Sequence, residues 1–515
     1  MKTEEGKKQN TQSPQQTVRK SLYVEDLKPL KGLRAVCALF IMVGHFFTYF
    51  TPNLIHKEGY GPENKDLEFP GVLFPIEFLQ GVTFFFLLSG ISFARIYTHT
   101  GSLDTRAGKK KFIWKRFVRL SPAYYFGLLL SFAPFYLYYY VQEKDYLRFF
   151  GSLLTTPLFL QSVNPQFIAW NSPLWTVSIF MLCYLLYPYI SKKLYLAKEK
   201  TLKWIAFYNY SVPFLIVIIF MFFIGSYTVL LVCHVSIIRI THFIVGAILG
   251  EYIERWRKAK SLEKLDFIQT LTPVSIQKAK NENREVENPQ SLNGDQNINN
   301  AGNGPNSTKK KPRTNKTISY DLIVDLGSIF LLFTQAVTLY CGYKYGRLHN
   351  FVKFFLEFSL VPLHCYWIFA IMNSKKSLTC RFFNLGIFNL LNEVSYNVYC
   401  LHFPIFYLYT WLINKEIVPS YTQFMDAVYA LKFWHIFIIV PLVWLIGILF
   451  HKCIELPFKK KMVKIINKKY SLAKEIQKEV PSDSSISTEN SEDSLDTSRS
   501  NSSSKYALHD LVESQ

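Results

Sequence analysis

The chain has 515 residues, half of them hydrophobic and only 18% charged, with 45 Phe and 32 Tyr. That balance excludes a disordered or fibrous protein, and because both ends and the middle are polar, the apolar residues must lie in blocks. A net charge of +21 would raise nucleic acid as a partner for a soluble protein, but here the basic residues flank apolar blocks, as cytoplasmic loops do under the positive-inside bias. The expected fold is all-α: a polytopic transmembrane helical bundle of about ten spans, with a disordered cytoplasmic loop and tails.

In chain order, residues 1–27 are polar and read as a disordered cytoplasmic tail without a signal-peptide core. Spans are predicted near 32–50, 72–97, 122–141, 173–190, 204–225 and 228–253, which make a first bundle half over 28–256. Four more, near 319–341, 352–373, 390–412 and 432–455, make a second half over 318–458. Residues 257–317, with NGDQNINNAGNGPNSTKKKPR at their heart, are too polar to offset the entropy of ordering and read as a disordered inner loop. Residues 459–515 read as a basic and then Ser-rich tail. The block 149–163 is apolar but short, contains Pro157 and would invert every later loop if it crossed, so it reads as re-entrant or interfacial. With that choice Lys109, Lys110, Lys111, Lys192, Lys193, Lys375, Lys376 and Lys459 all fall on the inner side, and both termini are expected in the cytoplasm. The eight Cys form no Cys-x-x-Cys pair, which points to neither a zinc site nor a disulfide scaffold.

Two constellations carry chemistry. In LKGLRAVCALFIMVGHFF, Arg34 and His45 are eleven residues apart, three helical turns and a rise of roughly 16 Å, which puts them on one stripe of the first helix. Arg34 then sits at the cytoplasmic edge and His45 inside the bilayer, where an ionisable group marks a candidate site and a neutral imidazole can take a hydroxyl proton. His234, His242, His364, His402, His435 and His451 also fall in or near spans, so a histidine alone decides nothing. In WKRFVRLSPAYY, Arg116 and Arg119 are neighbours on a helical face and can grip phosphate oxygens through two guanidinium forks, or can serve only as a positive-inside anchor. Pro122 suits the first turn of the third span.

These segments, together with GVTFFFLLSGISFARIY, SPLWTVSIFMLCYLLYP, RITHFIVGAILG, EVSYNVYCLHFPIF and CIELPF, resemble in order and content the membrane acyltransferase-3 family. That group includes bacterial O-antigen and cell-wall O-acetylases and the nose-resistant-to-fluoxetine proteins. The resemblance covers most of residues 28–458 outside the polar loop. It implies transfer of an acyl group, commonly acetyl from acetyl-CoA, to a hydroxyl of a glycan, lipid or small molecule. Acyl-CoA is then a co-substrate, and no permanently bound cofactor or metal is expected. By the same resemblance Arg34 and His45 match the family's essential pair and Arg116 and Arg119 its donor-holding Arg-x-x-Arg. Ser395, Tyr396 and His402 match its late Ser-Tyr…His segment, read as substrate-binding. Arg239 with Gly246 and Glu455 with Pro457 match two further motifs.

The sequence departs from the family at two acids. Phe180 stands where a Glu usually follows the Trp by five residues, and Thr83 stands where Asp is common. Glu77 is a candidate replacement and is read as substrate-binding. The alternative to an enzyme is a catalytically silent relative acting as a transporter or lipid-binding membrane protein. A haem protein is disfavoured because the histidines form no obvious facing pair of ligand helices.

Overall fold

The computed structural model describes residues 14–46, 79–98, 100–223, 238–260, 319–345, 355–374, 376–414 and 431–479. Glu77 and His234 lie outside them, as do most of the predicted loop over 257–317 and the Ser-rich end of the tail. The chain divides into a unit of Met1–Glu251 with Tyr320–Gln515 and a second unit of Tyr252–Ser319. The second contributes to the described residues only the end of one helix, 252–260, and Ser319.

Among the described residues the chain is helical almost throughout and contains no strand. In order the helices are α1 (Pro14–His45), α2 (Leu79–Tyr97), α3 (Arg106–Tyr136), α4 (Tyr146–Thr155), α5 (Trp175–Leu196), α6 (Glu199–Phe223) and α7 (238–260). They continue as α8 (Tyr320–Tyr345), α9 (Val361–Asn373), α10 (Leu378–Phe383), α11 (Gly386–Asn414), α12 (Ile436–Phe450) and α13 (Leu456–Glu479). The described part of each of the ten predicted spans overlaps one of these helices. Five helical stretches are long and apolar enough to cross a membrane by length and composition: Arg106–Gln142, Ser172–Leu196, Glu199–Ile219, Tyr320–Thr338 and Ile436–Ser471. Their outward faces carry large exposed hydrophobics, such as Phe207, Leu215 and Ile219 on α6 and Leu326, Ile329 and Phe333 on α8, which is the surface that lipid tails accept. The block 149–163 holds only the ten-residue α4, a 3-10 turn and irregular chain, and ten residues rise too little to cross.

Three boundaries differ from expectation. The N-terminal tail is helical from Pro14, because PQQTVRKSLYVEDL offers mostly good or neutral helix formers, and the helix continues through Pro29 into the first span. The start of the basic tail is helical for the same reason: α13 continues to Glu479 through a Lys-rich sequence. Pro122 is interior to its helix, not in the first turn, because α3 begins at Arg106, where the Thr105 hydroxyl accepts from the Gly108 N–H at 3.0 Å.

Packing centres on α1, which lies against α2 and α11, while α11 also meets α3 and α12. Backbone proximity joins α2 to α7: a Cβ on Gly246 would collide with the Leu87 carbonyl, and one on Gly90 with the Phe243 carbonyl. Helix α10 is held by α8, whose Asp321 and Asp325 carboxylates, one turn apart, accept from the N–H groups of Lys376, Ser377, Leu378 and Thr379. In α11, Pro404 has no N–H to return to Cys400, and the Cys400 carbonyl accepts instead from Asn171 Nδ2 at 3.3 Å.

Candidate functional site

A cavity of about 150 Å³ opens between α1, α2, α3, α5 and α11. One part of its wall is cationic: Lys31 and Arg34 from α1, Arg116 and Arg119 from α3. Another is apolar, built from Val82, Phe85, Phe93, Leu120, Val177 and Phe180. Ser395, Tyr396 and two carboxylates, the exposed Glu393 and the buried Glu455, also line it, so five of the eight predicted site residues, Arg34, Arg116, Arg119, Ser395 and Tyr396, meet at one place.

Local interactions fix how each is presented. Arg34 Nη2 donates to the Leu88 carbonyl at 3.0 Å and to Ser92 Oγ at 2.7 Å, so α2 orients this guanidinium. Arg116 is 6% exposed, with its guanidinium carbon 4.4 Å from the Phe93 ring centre and further aromatic faces from Tyr97, Phe112 and Tyr184 around it. Its Nη2 donates to the Tyr97 hydroxyl at 2.8 Å, while its Nε has no acceptor. Among the described residues none of these four cations has a carboxylate within ion-pair distance. Glu455, the buried acid in the wall, is engaged elsewhere: it accepts from Asn397 Nδ2 at 2.7 Å and from His451 Nδ1 at 2.6 Å. A wall with positive charge in excess and a buried N–H unsatisfied favours an anion.

Ser395 and Tyr396 spend their protons internally. Ser395 Oγ donates to the Asn392 carbonyl at 2.8 Å and Tyr396 OH to the Leu120 carbonyl at 2.8 Å, leaving the two hydroxyl oxygens to accept. Phe180, at the position of a usual family acid, faces the cavity and stacks on Phe86 with ring centres 4.4 Å apart, so the wall there is apolar.

His45 and His402 are not in the cavity wall. They meet each other, His45 Nδ1 to His402 Nε2 at 2.8 Å, and His402 Nδ1 lies 2.7 Å from the Tyr399 carbonyl. Tyr399 itself lines the cavity, and its hydroxyl donates to the Pro173 carbonyl at 2.7 Å and accepts from Thr176 Oγ1 at 2.8 Å. Arg34 and His45 therefore have different partners, one on α2 and the other on α11, although the helical spacing sets them on one stripe of α1.

The sequence reading missed Glu357. It is 1% exposed and pairs with the equally buried Arg239, whose Nη1 also donates to Thr83 Oγ1 at 3.2 Å. Thr83 in turn donates to Glu357 Oε1 at 3.0 Å. The position that lacks the family's Asp is thus served by a carboxylate from another segment. The signal available in the sequence was an acid inside the apolar block 352–373. Among the described residues no group of three or more His, Cys, Asp or Glu side chains could hold a metal ion.

The model of the acyltransferase-3 family, described as an acyltransferase domain, matches residues 28–452, and the chain belongs to that family. No curated protein and no solved structure matches it. Membership with the apolar helices makes this a membrane acyltransferase by family.

Proposed function

We propose that the protein moves an acyl group, commonly acetyl, from acyl-CoA to a hydroxyl of a glycan, lipid or small molecule, with both termini and the donor in the cytoplasm. The observation that carries the reading is the cavity lined by Lys31, Arg34, Arg116 and Arg119, four cations against the two carboxylates Glu393 and Glu455, with no ion pair to any of the four among the described residues. Arg116 and Arg119 take phosphate oxygens of the donor, since guanidinium forks match phosphate geometry. A space of this size holds a ring-sized group, so only part of the donor enters it, the acyl and pantetheine end lying along Val82, Phe85 and Phe180. Ser395 and Tyr396 offer hydroxyl oxygens to the acceptor.

His45, although outside the wall of this cavity, takes the acceptor's hydroxyl proton as that oxygen attacks the thioester carbonyl, so the acyl end of the donor must extend past the wall to reach it. The carbon–sulfur bond breaks, the thiolate recovers a proton, and an ester and free CoA leave without an acyl-enzyme. Labelled acetyl-CoA supplied to membranes containing the protein should label a glycan or lipid, and His45→Ala should abolish labelling. Labelling in His45→Ala at the parent's rate rejects His45 as the base. No labelling by the parent with any acyl-CoA favours the silent relative, a reading motivated by Phe180 in the cavity wall.

A further inference from the structure

The contacts of the two imidazoles fix which of them donates to the other. A backbone carbonyl can only accept, so the 2.7 Å contact between His402 Nδ1 and the Tyr399 carbonyl places a proton on His402 Nδ1. His402 is fully buried, where an imidazolium without a carboxylate partner is costly, so the ring is neutral and its Nε2 carries the lone pair. The 2.8 Å contact to His45 Nδ1 is then a bond that His45 donates, and in the neutral ring the accepting atom of His45 is Nε2. Ring geometry agrees. The centroids are 5.1 Å apart with planes 8° from parallel, and the nitrogen separation plus two ring radii accounts for that whole distance. The rings lie end to end in nearly one plane, the alignment of a linear N–H···N bond, and are not stacked face to face.

We propose that His402 is a positioning residue that fixes the tautomer of His45 and so makes Nε2 of His45 the proton-accepting atom. The inference rests on the reading of His45 as the base. When His45 Nε2 takes the hydroxyl proton, the new imidazolium keeps its Nδ1–H bonded to His402 Nε2, and the chain ends at the Tyr399 carbonyl. One proton enters at Nε2 and the same proton leaves to the thiolate. The carbonyl cannot pass a proton on, so the pair orients and stabilises charge without acting as a longer wire. Tyr399 is itself held at its hydroxyl by Pro173 and Thr176, which keeps the terminal acceptor in place.

Nitrogen-15 spectroscopy of the full-length protein with labelled histidine, assigned by loss of signal in His45→Phe and His402→Phe, reads the tautomers directly. Both rings are expected with the proton on Nδ1, the less common form of neutral histidine in water; a His45 ring protonated on Nε2 overturns the proposal whatever the activity. In the transferase assay His402→Phe should lower kcat about a hundredfold with KM within about threefold, while His402→Gln, whose amide oxygen can accept from His45 Nδ1, should recover about tenfold of that loss. A loss confined to the acceptor's KM would make His402 a substrate-binding group and overturn the positioning role. A parent protein that transfers no acyl group sinks the transferase reading, and the tautomer measurement still decides this one.

Discussion

Two buried arginine sites, both packed against α2, show what an arginine inside a helical bundle can be for. Arg239 is closed off: Glu357 neutralises it and Thr83 bridges the pair. Arg116 is equally wrapped in aromatic rings but has no carboxylate partner, and it faces a cavity shared with three more cations. The first arrangement balances its own charge and ties segments together, although Glu357 Oε2 has no hydrogen-bond partner. The second is incomplete without an anion, and the difference separates scaffold from site more sharply than conformity to a motif does.

The largest effect that can break this contrast is expected at Glu357. Its replacement by Ala leaves a buried guanidinium without its carboxylate, and thermal unfolding in detergent should show a loss of about 3–5 kcal/mol. Converting both members to apolar residues, Arg239→Met with Glu357→Leu, should recover most of it; no recovery would mean the pair does more than cancel itself.

At the other site, Arg119→Ala should leave the unfolding curve near the parent's while weakening acyl-CoA binding by about 1.5–3 kcal/mol, roughly ten- to a hundredfold by calorimetry. Unchanged affinity would reduce Arg119 to a topology anchor. Thr83→Val removes the hydroxyl between Arg239 and Glu357 and should cost about 1 kcal/mol of stability with no change in acyl-CoA affinity. Smallest of all, Glu199→Gln breaks an exposed pair with Lys203 at 2.8 Å, and its effect on unfolding should stay below about 0.5 kcal/mol. A larger shift there would show that burial is the wrong axis for the comparison.

The helices were legible because apolar blocks of span length announce themselves, and the family was legible from motifs in order. Arg116 and Arg119 were readable as neighbours on one helix, since local spacing governs them, whereas their meeting with Arg34 from α1 depends on how the helices pack. Glu357 was not, because its partner Arg239 is 118 residues away and the motif pattern drew attention to the acids missing at Thr83 and Phe180. His45 and His402 are 357 residues apart, and their bond depends on how α1 packs on α11, which no local periodicity encodes. The early start of α1 and the interior position of Pro122 were missed because tail polarity and a proline were given more weight than continuous helix propensity and a threonine cap.

Gly90 and Gly246 bring the backbones of α2 and α7 into direct touch, so neither rod has slack to roll against the other. Gly32 on α1 and Gly127 on α3 approach the Phe383 and Cys400 carbonyls in the same way, so the helices that bear the guanidinium groups are seated against their neighbours as well.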